Sequence, residues 1–470
     1  MFFSDLIFLY LFLPVCLAAY FFTKKTRYRN FVLIGFSLFF YSWGEPVRVV
    51  LLILSSFINF VLARSIELNK KNKLGKASLI VALVYNIGML CVFKYTDFVI
   101  NNINGIFGSG ISTLDIAFPI GISFYTFQAL SYIIDVYWEK VNAQRKFSNL
   151  LMYISLFPNV TMGPIVRYET VENNLENRKT TVSDISEGLT RLIIGLAKKV
   201  IIANNLYAFV GIIFGTDITK ATVAGTWIGL VAYSLNVYFD FSGYSDMAIG
   251  LARIFGFHYN ENFNYPFMCR TIGEFWQRWH ISLGSFFKDY LLYLPIFGKR
   301  RQYASLFLVW FTTGLWHGAS WNYVIWGLYF GAFILIETKL GKKRIRETPT
   351  WLMHIYNKLV IIIGFGIFKF TNINDLGNFF KNLVGLNGNI LINDHTITDI
   401  KSFLYIILIA VFFSFPILPW IKDILEKRSY LTRSAGQFFA MGSNVVLLAV
   451  TTILVIDTSL TDAPFLYTVF

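Results

Sequence analysis

The chain has 470 residues, of which 56% are hydrophobic and 14% charged. Soluble domains carry about 25% charged residues, so the composition excludes a soluble globular protein and predicts an all-α polytopic membrane protein. The net charge of +14, from 41 basic and 27 acidic residues, stands in short clusters between apolar runs, which is the pattern of cytoplasmic loops and argues against nucleic acid as a partner.

Apolar runs long enough to cross ~30 Å of hydrocarbon recur along the chain. Residues 1–470 therefore read as a single integral-membrane domain of about ten to twelve helices set in a lipid bilayer. The first run, 6–22, stands before its positive charges (Lys24, Lys25, Arg27 and Arg29). A cleaved signal peptide has the reverse order, so this run is expected to be a retained helix with its N-terminus outside. Basic loops at 23–30 and 64–76 are expected inside, with an outward hairpin between them turning at Trp43-Gly44-Glu45-Pro46. A run from 78 to about 93 goes out to a loop at 97–115, rich in Asn, Gly and Ser and without Lys or Arg. The segment at about 118–137 returns to a basic inner loop at 139–147.

The run 150–166 contains Pro158, Asn159, Gly163 and Pro164. It is expected to be broken, which at membrane depth requires burial in protein or a wet cavity. A mixed-charge loop at 167–187 precedes spans at about 188–214 and 223–251. The second span carries Asp240, Ser242, Ser245 and Asp246, groups that cannot face lipid cheaply. They are expected to line a cavity or to lock helix packing.

Residues 253–301 are aromatic, polar and basic. Thr271-Ile272-Gly273-Glu274 is a capping-box pattern, so an amphipathic or partly inserted inner helix is expected to start there. Gln277, His280 and Gly284 then share one helical face. Basic residues precede the run 303–313 (Lys299, Arg300, Arg301) and follow the run 323–338 (Lys339, Lys342, Lys343, Arg344, Arg346). Both ends of this hairpin are therefore expected inside, with Thr313-Gly314-Leu315-Trp316-His317-Gly318-Ala319-Ser320-Trp321-Asn322 at its apex. Gln302 to His317 is about 22 Å of helix, which places His317 deep in the membrane, towards its outer half. Further spans are expected near 355–370, 402–420 and 438–456, with a polar external loop at 371–400.

Common catalytic signatures are missing: the sequence has no Walker-type GxxxxGK[ST], HExxH, GxSxG or GxGxxG. Cys16, Cys91 and Cys269 have no zinc spacing, so no metal site is expected. Cys16 and Cys91 read as packing residues, and Arg270 beside Cys269 favours its thiolate. His258, His354 and His395 have no assigned chemistry. Ser320, one helical turn from His317, lacks a nucleophile elbow. What remains are two histidines among tryptophans, His280 and His317. A neutral imidazole is the natural general base for a hydroxyl, and desolvation favours the neutral form.

Several stretches carry a resemblance. They are Phe2-Phe3-Ser4, Gly163-Pro164-Ile165-Val166-Arg167-Tyr168, the run from Tyr238 to Gly250, Asn262-Phe263-Asn264-Tyr265-Pro266-Phe267, the run from Glu274 to Leu283, and the run from Gly314 to Trp321. In this order they resemble the membrane-bound O-acyltransferase (MBOAT) family, most closely its bacterial alginate O-acetyltransferase-like branch. Asn159 and Lys288 stand where that branch often has Gln and Arg.

The resemblance implies a ring of about 11 transmembrane helices, with re-entrant or interfacial helices, around a central tunnel. It implies a multi-pass protein of the bacterial cytoplasmic (inner) membrane, with no bound cofactor. Acetyl-CoA is the implied donor, a hydroxyl of an extracytoplasmic polysaccharide the acceptor, and an extracytoplasmic acetyltransferase the partner protein. His317 and His280 are the implied catalytic residues. Trp316, Gln277, Asp246, Asp240, Ser320 and Asn322 are candidates to line the tunnel, and Arg278, Lys288 and Arg301 to meet the donor phosphates. Two alternatives stay open: the D-alanyl or lipid-directed branches of the family, and a polysaccharide exporter.

Overall fold

The computed structural model describes residues 1–70, 72–215, 217–293, 301–426, 430–456 and 465, and among them every regular element is a helix. Seven of these helices are long and apolar enough to cross a membrane: Val49–Leu68, Lys73–Phe107, Val182–Phe214, Trp321–Glu347, Thr350–Lys369, Asp394–Phe413 and Phe439–Ile456. Other helices, such as Gln302–His317, are shorter or more polar. The protein is an all-helical, multi-pass membrane protein. By its internal contacts the chain groups into two compact units, Met1–Leu192 with Met247–Glu261, and Ile193–Asp246 with Asn262–Phe470.

In the first unit, the helices Thr26–Gly44 and Val49–Leu68 form the expected hairpin. Its turn is held by Glu45, which pairs with Arg48 at 2.6 Å and accepts from the Ile120 amide at 3.3 Å. Buried amides lock the next pair of helices: Asn59 and Asn86 exchange hydrogen bonds at 3.2 and 2.8 Å, the kind of polar contact that joins helices in lipid. Helix Lys73–Phe107 overturns the expected loop from 97. Its polar residues bond back along the helix, Thr96 to the Val92 carbonyl and Asn102 to the Phe98 carbonyl, each at 2.7 Å. The helix ends only at Gly108, whose φ of 64° suits a left-handed cap.

The break expected in 150–166 is present. Helix Phe147–Ser155 gives way to irregular chain up to Arg167. There Phe157 packs within 5.4 to 6.4 Å of Phe3, Phe8, Phe12 and Phe40, ring centre to ring centre. The expected loop 167–187 instead holds helix Tyr168–Asn177 and the start of Val182–Ala197. Between them the buried Arg178 donates to Tyr20, Asn30 and the Asn174 carbonyl, all at 2.9 Å. Three local partners make a guanidinium affordable in this interior, which no local sequence pattern announces.

In the second unit, a π-helical turn at Lys198–Ala203 interrupts the helix that runs on to Phe214. Lys199 meets Asp240 at 2.6 Å with both side chains 3% exposed, and Lys198 meets Asp246 at 2.7 Å. Each carboxylate thus ties helix Val223–Ile254 to its neighbour. The core of the unit is aromatic, with Phe275, Trp279, Trp310, Trp326, Phe330 and Phe365 buried together. The expected external loop 371–400 contains helix Ile373–Leu383 and the first turn of Asp394–Phe413, where His395 is exposed. Lys299 and Arg300, expected in the basic inner turn, lie outside the described residues.

Candidate active site

The predicted apex hairpin is formed by helices Gln302–His317 and Trp321–Glu347. Glycines let the two backbones touch: a Cβ at Gly314 would collide with the Tyr323 carbonyl, and one at Gly327 with the Trp310 carbonyl. His317 is the last residue of its helix, because Gly318 turns extended immediately after it. The imidazole is 4% exposed. It is enclosed edge-on by Trp326 at 4.7 Å, Trp316 at 4.8 Å and Phe368 at 5.2 Å. Such edge-to-face contacts contribute about 0.5–1.5 kcal/mol each beyond burial and fix ring orientation.

His280 reaches the same place from another element. The capping box at its start is present: Thr271 accepts from the Glu274 amide at 3.0 Å, and Glu274 accepts from the Arg270 amide at 2.9 Å. Glu337, from the far helix of the hairpin, accepts from the Ile272 and Gly273 amides at 2.6 and 2.9 Å. A carboxylate at a helix N-terminus satisfies two amides that lack helical partners. The expected continuous helix is, however, corrected. It stops at Arg278, His280 takes left-handed backbone angles (φ 44°, ψ 55°), and a second short helix runs Ile281–Phe287. The break turns Gln277 to an exposed position, so Gln277 and His280 do not share a face.

His280 is 1% exposed and packs its ring against Phe241 at 4.6 Å. Trp316 stands 5.9 Å from His280 and 4.8 Å from His317. One indole thus bridges the two imidazoles inside a buried aromatic wall. Burial pushes the His280 imidazole down to about 3, so this ring is neutral at physiological pH.

The other candidates are placed less centrally. Ser320 donates to the Thr371 carbonyl at 3.2 Å, and Asn322 donates to the Ile367 and Phe368 carbonyls at 3.2 Å. Both brace the hairpin apex. Asp240 and Asp246 are held by their lysines. Arg278 pairs with Glu274 at 2.7 Å, while Lys288 and Arg301 are exposed. Cys269 is buried, donates to Asn357 at 3.3 Å, and is pushed up to about 11 by burial, which outweighs the lowering by the Lys358 ammonium; the thiolate that Arg270 was expected to favour is therefore overturned. Among the described residues no group of three or more His, Cys, Asp or Glu side chains is placed to hold a metal ion. Trp326, Phe368, Phe241, Asn262 and Glu337 escaped assignment from sequence. Phe241 and Asn262 stood in recognised motifs, whereas nothing local marks the others.

Residues 143–374, which contain both histidines, match the model of the membrane-bound O-acyltransferase family. Over 79% of its length the chain is 38% identical to a probable alginate O-acetylase, AlgI, of Pseudomonas aeruginosa, covering 73% of that protein. The chain belongs to the membrane-bound O-acyltransferase family. Two other relatives of this MBOAT protein differ in their named chemistry. A peptidoglycan O-acetyltransferase of Helicobacter pylori is 33% identical, with 82% of this chain and 80% of the relative covered. A teichoic acid D-alanyltransferase of Bacillus subtilis is 33% identical, with 53% of this chain and 67% of the relative covered. The MBOAT chain is therefore an O-acyltransferase, and its enclosed pair of histidines is the candidate centre for acyl transfer.

Proposed function

We propose that this MBOAT protein transfers an acetyl group from cytosolic acetyl-CoA to hydroxyls of an extracytoplasmic glycan, working in the bacterial cytoplasmic membrane with an extracytoplasmic acetyltransferase partner. The observation that carries the reading is the buried aromatic enclosure in which Trp316 contacts both His280 and His317. The alginate and peptidoglycan O-acetylating relatives, matched over about four fifths of this chain, favour an acetyl donor and a glycan acceptor. His317 accepts the proton of the acceptor hydroxyl as its oxygen attacks the thioester carbonyl. The carbon–sulfur bond then breaks, and coenzyme A leaves as the thiol once that proton is returned. His280, neutral, orients the thioester from the other side of Trp316. Arg278, Lys288 and Arg301 are the cations offered to the donor phosphates.

General-base catalysis contributes about 10²–10⁴-fold, so His317→Ala is expected to lower release of coenzyme A from labelled acetyl-CoA by that factor in purified protein supplied with glycan. Equal turnover in both proteins would sink the assignment. The D-alanyltransferase relative, matched over about half of this chain, supports a second reading in which the donor carries D-alanine. Competition between the two donors separates them.

A further inference from the structure

The left-handed backbone at His280 has a specific cause. Asn262 is fully buried and sits at the centre of the hydrogen bonds around the histidine. Its carbonyl accepts from the Ile281 amide at 2.9 Å. Its Oδ1 faces the Ser282 amide at 3.2 Å, the Ser282 hydroxyl at 2.8 Å and His280 Nδ1 at 3.2 Å, while its Nδ2 donates to Ser245 at 3.0 Å. A backbone N–H can only donate, so the Ser282 amide requires an oxygen at that side-chain position. An oxygen there in turn requires the proton on Nδ1, because two lone pairs facing each other at this distance repel. Nε2 then carries the lone pair.

We propose that Asn262 is the positioning residue of the site: it holds His280 in its left-handed conformation and as the Nδ1–H tautomer, so that Nε2 is the working atom. The inference rests on His280 taking part in acyl transfer. Asn262, Ser282, Phe241 and Trp316 are among the side chains in contact with His280. The ionisable groups on the packed elements include Asp240 and Asp246, paired with Lys199 and Lys198, together with Tyr238, Tyr244, His317, Lys288 and Asp289, and Glu274, Arg278 and Glu337 on or against its own arm.

The test is a double-mutant cycle in proteoliposomes. It follows turnover of labelled acetyl-CoA with glycan extracted from the producing cells and chemically de-O-acetylated. Asn262→Ala is expected to lower kcat about 10- to 100-fold, the cost of a misplaced catalytic group, with KM for acetyl-CoA unchanged. In a His280→Ala background the same change is expected to cost little, because residues acting through one another are not additive. Asn262→Asp, close to isosteric, keeps the acceptor and adds a charge that favours imidazolium. It is expected to restore much of kcat at high pH and to move the acid limb of the profile upward. Additive losses, or an Asn262→Asp profile that matches the wild type, overturn the inference. A normal Asn262→Ala beside an impaired His280→Ala overturns it while leaving the acyltransfer reading intact; a fully active His280→Ala overturns both roles of the histidine.

Discussion

His280 carries two costs at once, a left-handed backbone and a buried imidazole. The first costs roughly 1–3 kcal/mol for a residue other than glycine. The second has a pH signature. Its pKa falls from 6.5 to about 3 in the folded protein. Between these values the unfolded chain binds a proton that the folded one does not, so stability rises with pH. This stability is fully present above the unfolded value and is lost as pH falls from there towards the folded one. Thermal stability in detergent is expected to fall on acidification below about pH 6.5, and less steeply in His280→Gln. Identical slopes in the two proteins would contradict it. Glutamine is the informative replacement because it keeps size and polarity without titrating.

The hairpin of helices Gln302–His317 and Trp321–Glu347 is the element on which the site depends. At Gly327 a methyl group would enter the Trp310 carbonyl, and backbone cannot move aside as a flexible side chain can. Overpacking of this kind costs about 1–3 kcal/mol. Gly327→Ala is therefore expected to lower the melting temperature and turnover together, because the helices must part where Trp316 and His317 are aimed. Gly35→Ala, where a Cβ meets nothing, is the control that should change neither. Much of this element was legible in sequence. Two apolar runs, basic at both outer ends, with glycines and a histidine between, define a hairpin and its apex. The neighbouring arm was not, because Thr271 to Gly284 has helical composition throughout. Its break depends on Asn262, a residue outside the arm whose hydrogen bonds become visible only in three dimensions. Helix Lys73–Phe107 misled in the opposite direction: Asn102, which reads as a loop residue, donates to the Phe98 carbonyl one turn back.

For the molecule as a whole, hydropathy and charge clusters were enough to identify a multi-pass helical protein, since each span must satisfy its own backbone in lipid. They could not reveal which charges meet. Lys198 and Lys199 are 48 and 41 residues from their carboxylates, and Arg178 lies far along the chain from Tyr20 and Asn30. The length of Gln302–His317 has a further consequence for how the chain is made. Sixteen helical residues extend about 24 Å, short of the ~30 Å of hydrocarbon, and the run ends on a histidine. Such a segment cannot be handed to the bilayer as an independent unit during synthesis; it must wait at the ribosome exit until Trp321–Glu347 has followed. In a microsomal assay, 302–317 placed between neutral flanks is expected to remain unintegrated and 302–347 to enter as a pair. Efficient entry of the short segment alone would refute this order. The hairpin that carries His317 is thus expected to be delivered to the bilayer as two helices together.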